Sequence, residues 1–376
     1  MLKKYLFRLN IIMIALATIF CFTLSASYNF SAGIKRAGCC CPDNVFSKIL
    51  KFIAPTVSTE SLVQEPGDRA FVHLSGRPIG FALEGGGVVV VSLGDVKNNG
   101  KYIESPCKLA GLKEGDVIVK AEGQNIGSGE RLIDIVNQNN GKSCELEVLR
   151  NKEQRKFTVQ PMWDDLALSY RIGVWVRDCS AGVGTITYIT DDGFFSALGH
   201  PIQDGDTGTI MPIGTGSIYK CSIVGVKKGE RGNPGELKGL FLKTNNKIGT
   251  ITQNDNNGIR GKMLSPEISA KYAEPELIEV AKKSDVTPGS AKILSTVDGS
   301  NPEEYSIDII KTNHINSNGN RCMVIKITDS NLLEKTNGIV QGMSGSPVIQ
   351  NGRLVGCITH VFVNDPTKGF AEFIAV

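Results

Sequence analysis

From residue 77 onward, apolar residues fall into short runs separated by glycine, asparagine and aspartate. Short runs rich in valine, isoleucine and threonine predict β-strands, and the polar residues between them predict turns. Helical spacing is much rarer, so the pattern predicts a mainly β protein. The predicted strands include Gly87–Val91, Tyr170–Val176, Gly184–Thr190 and Gly193–Leu198, and the helical spacing occurs at Glu130–Asn139 and roughly at Pro275–Lys283.

The segment after the first predicted strand carries a specific motif. Residues 105–118 read Ser-Pro-Cys-Lys-Leu-Ala-Gly-Leu-Lys-Glu-Gly-Asp-Val-Ile and resemble the signature of bacterial PDZ domains. The amphipathic helix and two predicted closing strands, Glu145–Arg150 and Lys156–Gln160, follow in the order that such a domain needs. Together these features predict a PDZ domain over residues 75–162.

A PDZ domain binds an extended peptide by adding it to a sheet edge. By resemblance, Ile79, Gly80 and Phe81 match the carboxylate-binding loop, whose free backbone N–H groups would receive the peptide end. The alternative is a glycine turn that leads into a strand. The match over the whole domain favours the loop.

The first 34 residues differ from the rest. Lys3, Lys4 and Arg8 precede an uncharged run from Leu9 to Ile34, which predicts either a membrane anchor or a cleaved signal segment. The anchor is the preferred interpretation, and the basic residues before the run place the globular part outside the cytoplasm. Residues 35–74 have mixed charge and little periodicity, and they predict a tether.

Composition limits the classes of function. A net charge of +3 without a basic stripe argues against nucleic acid as a partner, and no histidine or glutamate pair has metal-ligand spacing, so neither metal nor cofactor is predicted. Cys39, Cys40 and Cys41 follow the apolar run. They could be sites of lipidation, form intermolecular disulfides or have no specific role. Buried free thiols are predicted at the scattered cysteines: Cys107, Cys144, Cys179, Cys221, Cys322 and Cys357.

Residues 342–347 read Gly-Met-Ser-Gly-Ser-Pro. The glycines allow backbone angles that let the Ser344 hydroxyl project outward, and the N–H groups of Gly342 and Ser344 can then converge on a developing oxyanion. An ordinary turn is the alternative. Residues 348–356 predict a strand, an Asn-Gly hairpin and a second strand, and with them the segment resembles the nucleophile loop of chymotrypsin-like serine peptidases.

A serine nucleophile needs a base, and the chain has four histidines. His73 lies in the predicted tether and His314 in a polar turn. His200 ends a predicted strand at a glycine turn, which can hold an imidazole rigidly, so it is the preferred base. His360 lies on the strand after the nucleophile hairpin, where chymotrypsin-like enzymes line the substrate pocket.

Three motifs, Ser-Ala-Gly-Val-Gly-Thr (180–185), Ala-Leu-Gly-His-Pro (197–201) and Gly-Ile-Val-Gln-Gly-Met-Ser-Gly-Ser-Pro (338–347), combine with the PDZ pattern and the apolar N-terminus. The set resembles the SpoIVB peptidase family, the stage IV sporulation protein B of spore-forming bacteria. The resemblance implies Ser344 as nucleophile, His200 as base and Asp329 as the acid that orients it. Thr359 falls where the family has a threonine near the site, so Thr359 and His360 are candidate substrate-binding residues.

The resemblance implies a PDZ domain followed by a chymotrypsin-like double β-barrel over residues 163–376. It also implies a membrane-tethered serine endopeptidase that acts between mother cell and forespore. Its substrates would be itself and the outward-facing part of a membrane regulator that restrains an intramembrane metalloprotease. The alternative is a non-catalytic PDZ adaptor with a degenerate peptide-binding barrel.

Two expectations depend on separations along the chain. Asp191, Asp192, Asp204 and Asp206 are nearer to His200 than Asp329 is, and Asp329 could instead cap a helical turn at Leu332–Glu334. Every triad candidate lies beyond residue 190, so a chain that begins near Asp164 is expected to keep the chemistry without the PDZ domain.

Overall fold

A computed structural model describes residues 69–243, 246–315 and 321–374 of the chain. These residues are mainly β, as the hydrophobic pattern predicts. The predicted membrane segment, residues 1–34, and most of the predicted tether lie outside them. Within the described residues, no helix is long and apolar enough to cross a membrane.

The first part of the described chain contains eight strands and two helices. They are β1 (Phe71–Leu74), β2 (Pro78–Leu93), β3 (Val96–Asn98), β4 (Lys101–Ile103), α1 (Pro106–Leu109), β5 (Val117–Ala121), β6 (Gln124–Asn125), α2 (Gly129–Gln138), β7 (Cys144–Arg150) and β8 (Glu153–Val159). The Ser128 hydroxyl starts α2 by accepting a hydrogen bond from the N–H of Arg131. This helix and the strands β7 and β8 confirm the predicted elements.

The second part contains fifteen strands, two α-helices and one short 3-10 helix (Lys283–Asp285). The first strands are β9 (Met162–Asp164), β10 (Ser169–Arg171), β11 (Val174–Ile189), β12 (Phe194–Ala197), β13 (Ile213–Lys227), β14 (Glu236–Phe241), β15 (Lys247–Asp255) and β16 (Gly258–Met263). After them come α3 (Pro266–Tyr272), β17 (Leu277–Glu279), β18 (Gly289–Ser295), β19 (Glu303–Ile315), β20 (Arg321–Ile327), α4 (Ser330–Thr336), β21 (Pro347–Gln350), β22 (Arg353–Phe362) and β23 (Asp365–Phe373).

The long strand β2 belongs to both parts of the chain. Residues 88–93 pair with β5 and β11 and contribute to a core with α2. Residues 78–84 lie between β11 and β13, where Phe81 is opposite Gly182 on one side and Ile218 on the other. Gly85 and Gly87 have φ of 76° and 132°, which only glycine adopts readily, and they form the bend between the two halves.

Residues 78–84 complete a ring of six strands. Each strand of the series β11, β12, β16, β15, β13 and β2 pairs with the next, and β2 pairs with β11. Side chains that point inward fill the ring with an apolar core. That core includes Ile79, Leu83, Ile186, Phe195, Ile218 and Ile259. The first barrel of the peptidase region therefore takes a strand from the segment predicted to belong to the PDZ domain.

The second barrel is closed by β18, β19, β20, β23, β22 and β21 in that order. Its core is separate and includes Ile293, Ile307, Ile325, Val348 and Ile358. The predicted hairpin lies in this barrel. Asn351 and Gly352, with φ of 52° and 71°, connect β21 to β22, as an Asn-Gly turn requires.

Two local expectations are wrong. The helical spacing at Pro275–Lys283 does not give an α-helix, because β17 pairs instead with β1, placing Ile278 opposite Val72. Nine residues alone make a marginal helix, whereas strand pairing buries Val72. Consequently residues 71–74, which were predicted to be part of the tether, form a strand of the sheet.

Candidate active site

The Ser344 loop of the second barrel is held against β11 of the first barrel. The N–H of Thr185 donates to the Ser344 carbonyl at 2.9 Å. The Thr185 hydroxyl donates to the Gly342 carbonyl at 3.0 Å, and the Thr187 hydroxyl donates to the Gly345 carbonyl at 2.7 Å. Both threonine side chains are buried, so these bonds fix the loop across the boundary between the barrels.

The glycine after Ser344, the predicted nucleophile, is required by backbone geometry. Gly345 has φ of 97°, and a Cβ at that position would lie 2.1 Å from the carbonyl oxygen of Thr185. No side chain fits in that space. The glycine therefore allows the loop to approach β11 closely enough for the Thr185 hydrogen bonds to form.

The N–H groups predicted to form an oxyanion hole have no protein partner among the described hydrogen bonds. The N–H of Met343 donates to the Val340 carbonyl, and the N–H of Gly345 donates to the Ile358 carbonyl. The N–H groups of Gly342 and Ser344 are not used in this way. They remain available to a developing oxyanion, as the role requires.

The two serines of the loop have different environments. Ser344 is half-buried, and its Oγ donates to the Thr359 carbonyl at 2.9 Å. Ser346 is fully buried, and its Oγ is 2.9 Å from the Oγ of Ser295. Only Ser344 combines partial exposure with the flanking glycines, and its role as nucleophile stays a prediction.

His200 approaches the same loop from the first barrel. Gly199 has φ of 71°, and a Cβ there would lie 2.5 Å from Sγ of Cys357, so the turn before His200 packs directly on β22. Nδ1 of His200 donates to the Pro201 carbonyl at 3.0 Å. Since a carbonyl only accepts, Nδ1 carries the proton and Nε2 is left as an acceptor. Burial of the ring lowers its pKa below the ordinary value of 6.5.

His360 lies beside His200 at the exposed end of β22. The two ring centroids are 4.9 Å apart. Desolvation of the His360 ring, with a smaller contribution from His200, lowers the pKa of His360 to about 4. The neighbouring Thr359 is buried and receives the Ser344 hydrogen bond. Four predicted site residues, Ser344, His200, Thr359 and His360, are therefore brought together.

Asp329 has a different set of contacts. Its carboxylate caps α4 by accepting from the N–H of Leu332 at 3.0 Å, and it also accepts from the N–H of Ser306 at 3.4 Å. Among the described residues, no hydrogen bond or ion pair joins a carboxylate to His200. Of the nearer aspartates, Asp191 bonds to His73, while Asp204 and Asp206 bond to Arg177. The role of Asp329 as triad acid stays a prediction.

The predicted PDZ peptide-binding loop is wrong in its geometry. Ile79, Gly80 and Phe81 lie inside β2, paired with β11 on one side and with β13 on the other. A strand paired on both edges leaves no free N–H groups for a peptide end. The sequence motif is present, but the residues complete the first barrel instead.

Sequence reasoning did not identify Thr185 and Thr187 as the residues that hold the nucleophile loop. The available signal was the motif at residues 180–185, which ends in Thr185. Its role could not be assigned, because the contact partner lies more than 150 residues away along the chain.

The five cysteines whose side chains the structure describes are all free and buried, as predicted: Cys107, Cys144, Cys221, Cys322 and Cys357. Burial raises the pKa of each thiol, that of Cys357 to about 12. Cys357 lies against Gly199, close to the site, but in its neutral form it is a poor nucleophile.

Comparison with protein families identifies two regions of the chain. Residues 168–376 match the family described as SpoIVB peptidase S55, and this match covers more than half of the chain. The chain belongs to the SpoIVB peptidase family. Residues 77–160 match the PDZ domain family. The chain is therefore a serine peptidase that carries a PDZ domain ahead of its peptidase region.

Similar solved structures are distant. The active form of the Rv3671c protease from M. tuberculosis is 15% identical over 52% of this chain and 70% of that one, with a TM-score of 0.30. The PDZ domain of the SdrC-like protein Lmo2051 from Listeria monocytogenes is 20% identical over 24% of this chain and 87% of that one, with a TM-score of 0.20. Among curated proteins, none matches the chain.

Proposed function

We propose that the chain is a serine endopeptidase in which Ser344 is the nucleophile and His200 the general base. The supporting observation is that both residues meet β22 at consecutive positions. Ser344 bonds to the carbonyl of Thr359, and the ring of His200 lies against the ring of His360. The hydroxyl and the imidazole thus approach one point from different barrels, as in other serine peptidases with a double barrel.

The chemistry follows from these positions. Rotation of the Ser344 side chain turns its hydroxyl from the Thr359 carbonyl toward Nε2 of His200, which takes the proton as the oxygen attacks the scissile carbonyl. The lowered pKa of His200 keeps it neutral and able to accept this proton. The N–H groups of Gly342 and Ser344 then stabilise the oxyanion. The protonated imidazole returns its proton to the leaving amine, and water hydrolyses the acyl-enzyme.

The group that orients His200 differs between the family resemblance and the structure. The family resemblance assigns the role to Asp329, whereas in the structure the Pro201 carbonyl holds Nδ1 of His200. We propose a Ser–His pair as the core of the site, with Asp329 as its candidate third member. Thr359 and His360 are the candidate substrate-binding residues, since His360 is exposed beside the proposed base.

The biological role is proposed from the family and from the N-terminal sequence. A member of this family with an apolar N-terminal run is expected to act outside the cytoplasm, to cleave itself and to cleave a membrane-bound regulator during sporulation. N-terminal sequencing of the wild type and of Ser344→Ala tests self-cleavage. A new N-terminus that appears in the wild type and is absent from Ser344→Ala is the expected result, and identical N-termini would exclude self-cleavage.

Labelling with a serine-directed fluorophosphonate tests the core of the proposal. Wild type should be labelled, Ser344→Ala should not, and Ser346→Ala serves as a matched control from the same loop. Labelling that survives in Ser344→Ala would overturn the assignment. A folded wild type that takes no label and cleaves no casein would instead favour the non-catalytic adaptor.

A further inference from the structure

Two histidine rings from different barrels lie side by side at the proposed active site. His200 follows β12 of the first barrel, and His360 lies near the end of β22 in the second. The ring centroids are 4.9 Å apart, and the ring planes are inclined by 40°. His360 is exposed and His200 is half-buried. A solvated ion therefore reaches both rings.

Each ring has a nitrogen that no described protein group occupies. Nδ1 of His200 donates to the Pro201 carbonyl at 3.0 Å, which leaves the lone pair of Nε2 without a partner. Among the described residues, none makes a hydrogen bond or an ion pair to the ring nitrogens of His360. Neutral imidazole nitrogens bind transition metals such as zinc, copper and nickel. Two of them side by side form a chelating pair.

The separation of the two rings fits one metal ion between them. A Zn–N bond is about 2.1 Å long and a ring nitrogen lies about 1.2 Å from its ring centre, so each centroid would lie about 3.2 Å from the ion. Centroids 4.9 Å apart then correspond to an N–Zn–N angle of about 100°. This is close to the tetrahedral angle of about 109° that zinc prefers. The rings need only rotate, without moving apart, to direct both nitrogens at one ion.

The backbone already orients His200 as a metal-binding histidine requires. Such a histidine donates its other ring N–H to a carbonyl or carboxylate, which fixes the tautomer and the ring orientation. The Pro201 carbonyl supplies this contact. The turn at Gly199 also packs directly on Cys357 of β22, the strand that carries His360. The position of His200 beside His360 is therefore set by the contact between the barrels.

The small number of protein ligands determines how tightly a metal is held. Within the part of the chain that the structure describes, no group of three or more His, Cys, Asp and Glu side chains could hold a metal ion. Structural zinc sites have four protein ligands and catalytic sites have three. A site with two leaves the other positions to water, so its occupancy depends on the free metal concentration. Magnesium and calcium prefer oxygen ligands, which excludes them from this pair.

We propose that His200 and His360 together bind a zinc ion that reversibly inhibits the peptidase. This proposal rests on the proposed function, because the inhibition requires that His200 is the general base. The metal takes up the Nε2 lone pair of His200, so that nitrogen no longer accepts the proton of Ser344. Nδ1 keeps its proton and its bond to the Pro201 carbonyl. Binding therefore displaces water from the metal and releases no proton from His200.

Fluorophosphonate labelling of the full chain in the presence of ZnCl₂ tests the inhibition. All proteins compared carry Cys39→Ser, Cys40→Ser and Cys41→Ser, so that these thiols do not take up the metal. A general base contributes about 10²–10⁴-fold to the rate, so saturating ZnCl₂ should slow labelling by at least about tenfold. Added EDTA should restore the rate, and MgCl₂ should have no effect. A labelling rate that ZnCl₂ leaves unchanged would overturn the proposal.

His360→Gln distinguishes the pair from binding by His200 alone. Loss of a group that only supports a ligand already lowers metal affinity about ten- to hundredfold, so loss of a ligand should raise the half-inhibiting ZnCl₂ concentration at least about tenfold. Each variant is compared with its own rate without zinc. His314→Gln is the matched control, because its ring is stacked on Phe370 outside the pair, and it should keep the parent value. Equal values in all three proteins would exclude His360 as a ligand.

Calorimetric titration with ZnCl₂ makes the test independent of activity. The chain with Ser344→Ala should bind a zinc ion that the same chain with His360→Gln added does not bind, and identical titrations would overturn the proposal. The two proposals fail differently. Wild type that is labelled at the same rate with and without ZnCl₂ refutes only the zinc site. Wild type that neither takes the label nor cleaves casein refutes the peptidase.

Discussion

Removal of the PDZ region should unfold the peptidase region. The sequence suggests that a chain beginning at Asp164 keeps the chemistry, but in the structure residues 78–84 are one of the six strands of the first barrel. A chain from Asp164 lacks that strand. It also leaves β11 and β13 with unpaired edges in place of the β2 ladder.

The size of the effect follows from what β2 buries. Ile79 and Leu83 are fully buried in the first barrel, and Phe81 is 9% exposed. Burial of one such side chain contributes about 1.5–3 kcal/mol, so the three contribute about 5–9 kcal/mol. A typical domain is stable by only about 5–15 kcal/mol. The loss is therefore comparable with the whole stability of the barrel, before any lost hydrogen bonds are counted.

The assay compares a chain from Arg69 with a chain from Asp164 by fluorophosphonate labelling and by urea unfolding. The longer chain should be labelled and unfold cooperatively, and the shorter chain should do neither. A synthetic peptide of residues 76–87 should restore part of the labelling by supplying the missing strand. Full labelling and cooperative unfolding of the shorter chain without the peptide would show that the first barrel does not need β2.

Three further predictions concern single residues. Ser346→Ala should keep fluorophosphonate labelling but lower the free energy of unfolding by about 1–3 kcal/mol, since it leaves Ser295 without its partner; lost labelling in folded protein would contradict this. Asp329→Asn should keep stability and activity if the residue only caps α4, whereas a fall in kcat on the order of 10⁴ would establish it as the acid. The decline of kcat/KM at acidic pH should have its midpoint below pH 6.5, because the pKa of His200 is lowered and the base loses its neutral form only at lower pH. A midpoint above pH 6.5 would exclude His200 as that base.

The features that depend on neighbouring residues along the chain are predictable from the amino-acid sequence. Apolar runs predicted several of the strands, among them β7, β8 and β12, and Glu130–Asn139 predicted α2 to within one residue at each end. The Asn351-Gly352 hairpin followed from the positive φ values that these two residues tolerate. The Ser344 loop was recognisable because the spacing of its glycines is a local requirement of backbone geometry.

The pairing of distant segments, in contrast, is set in the folded chain. Residues 78–84 read as a PDZ loop, yet they pair with β11 and β13, because two open barrel edges offer more burial and hydrogen bonding than a loop exposed to solvent. Asp329 follows a strand, as a triad acid could, but its carboxylate caps α4, whose first N–H groups lie within reach. Thr185 and Thr187 hold a loop more than 150 residues away, and no pattern along the chain encodes a contact made through space.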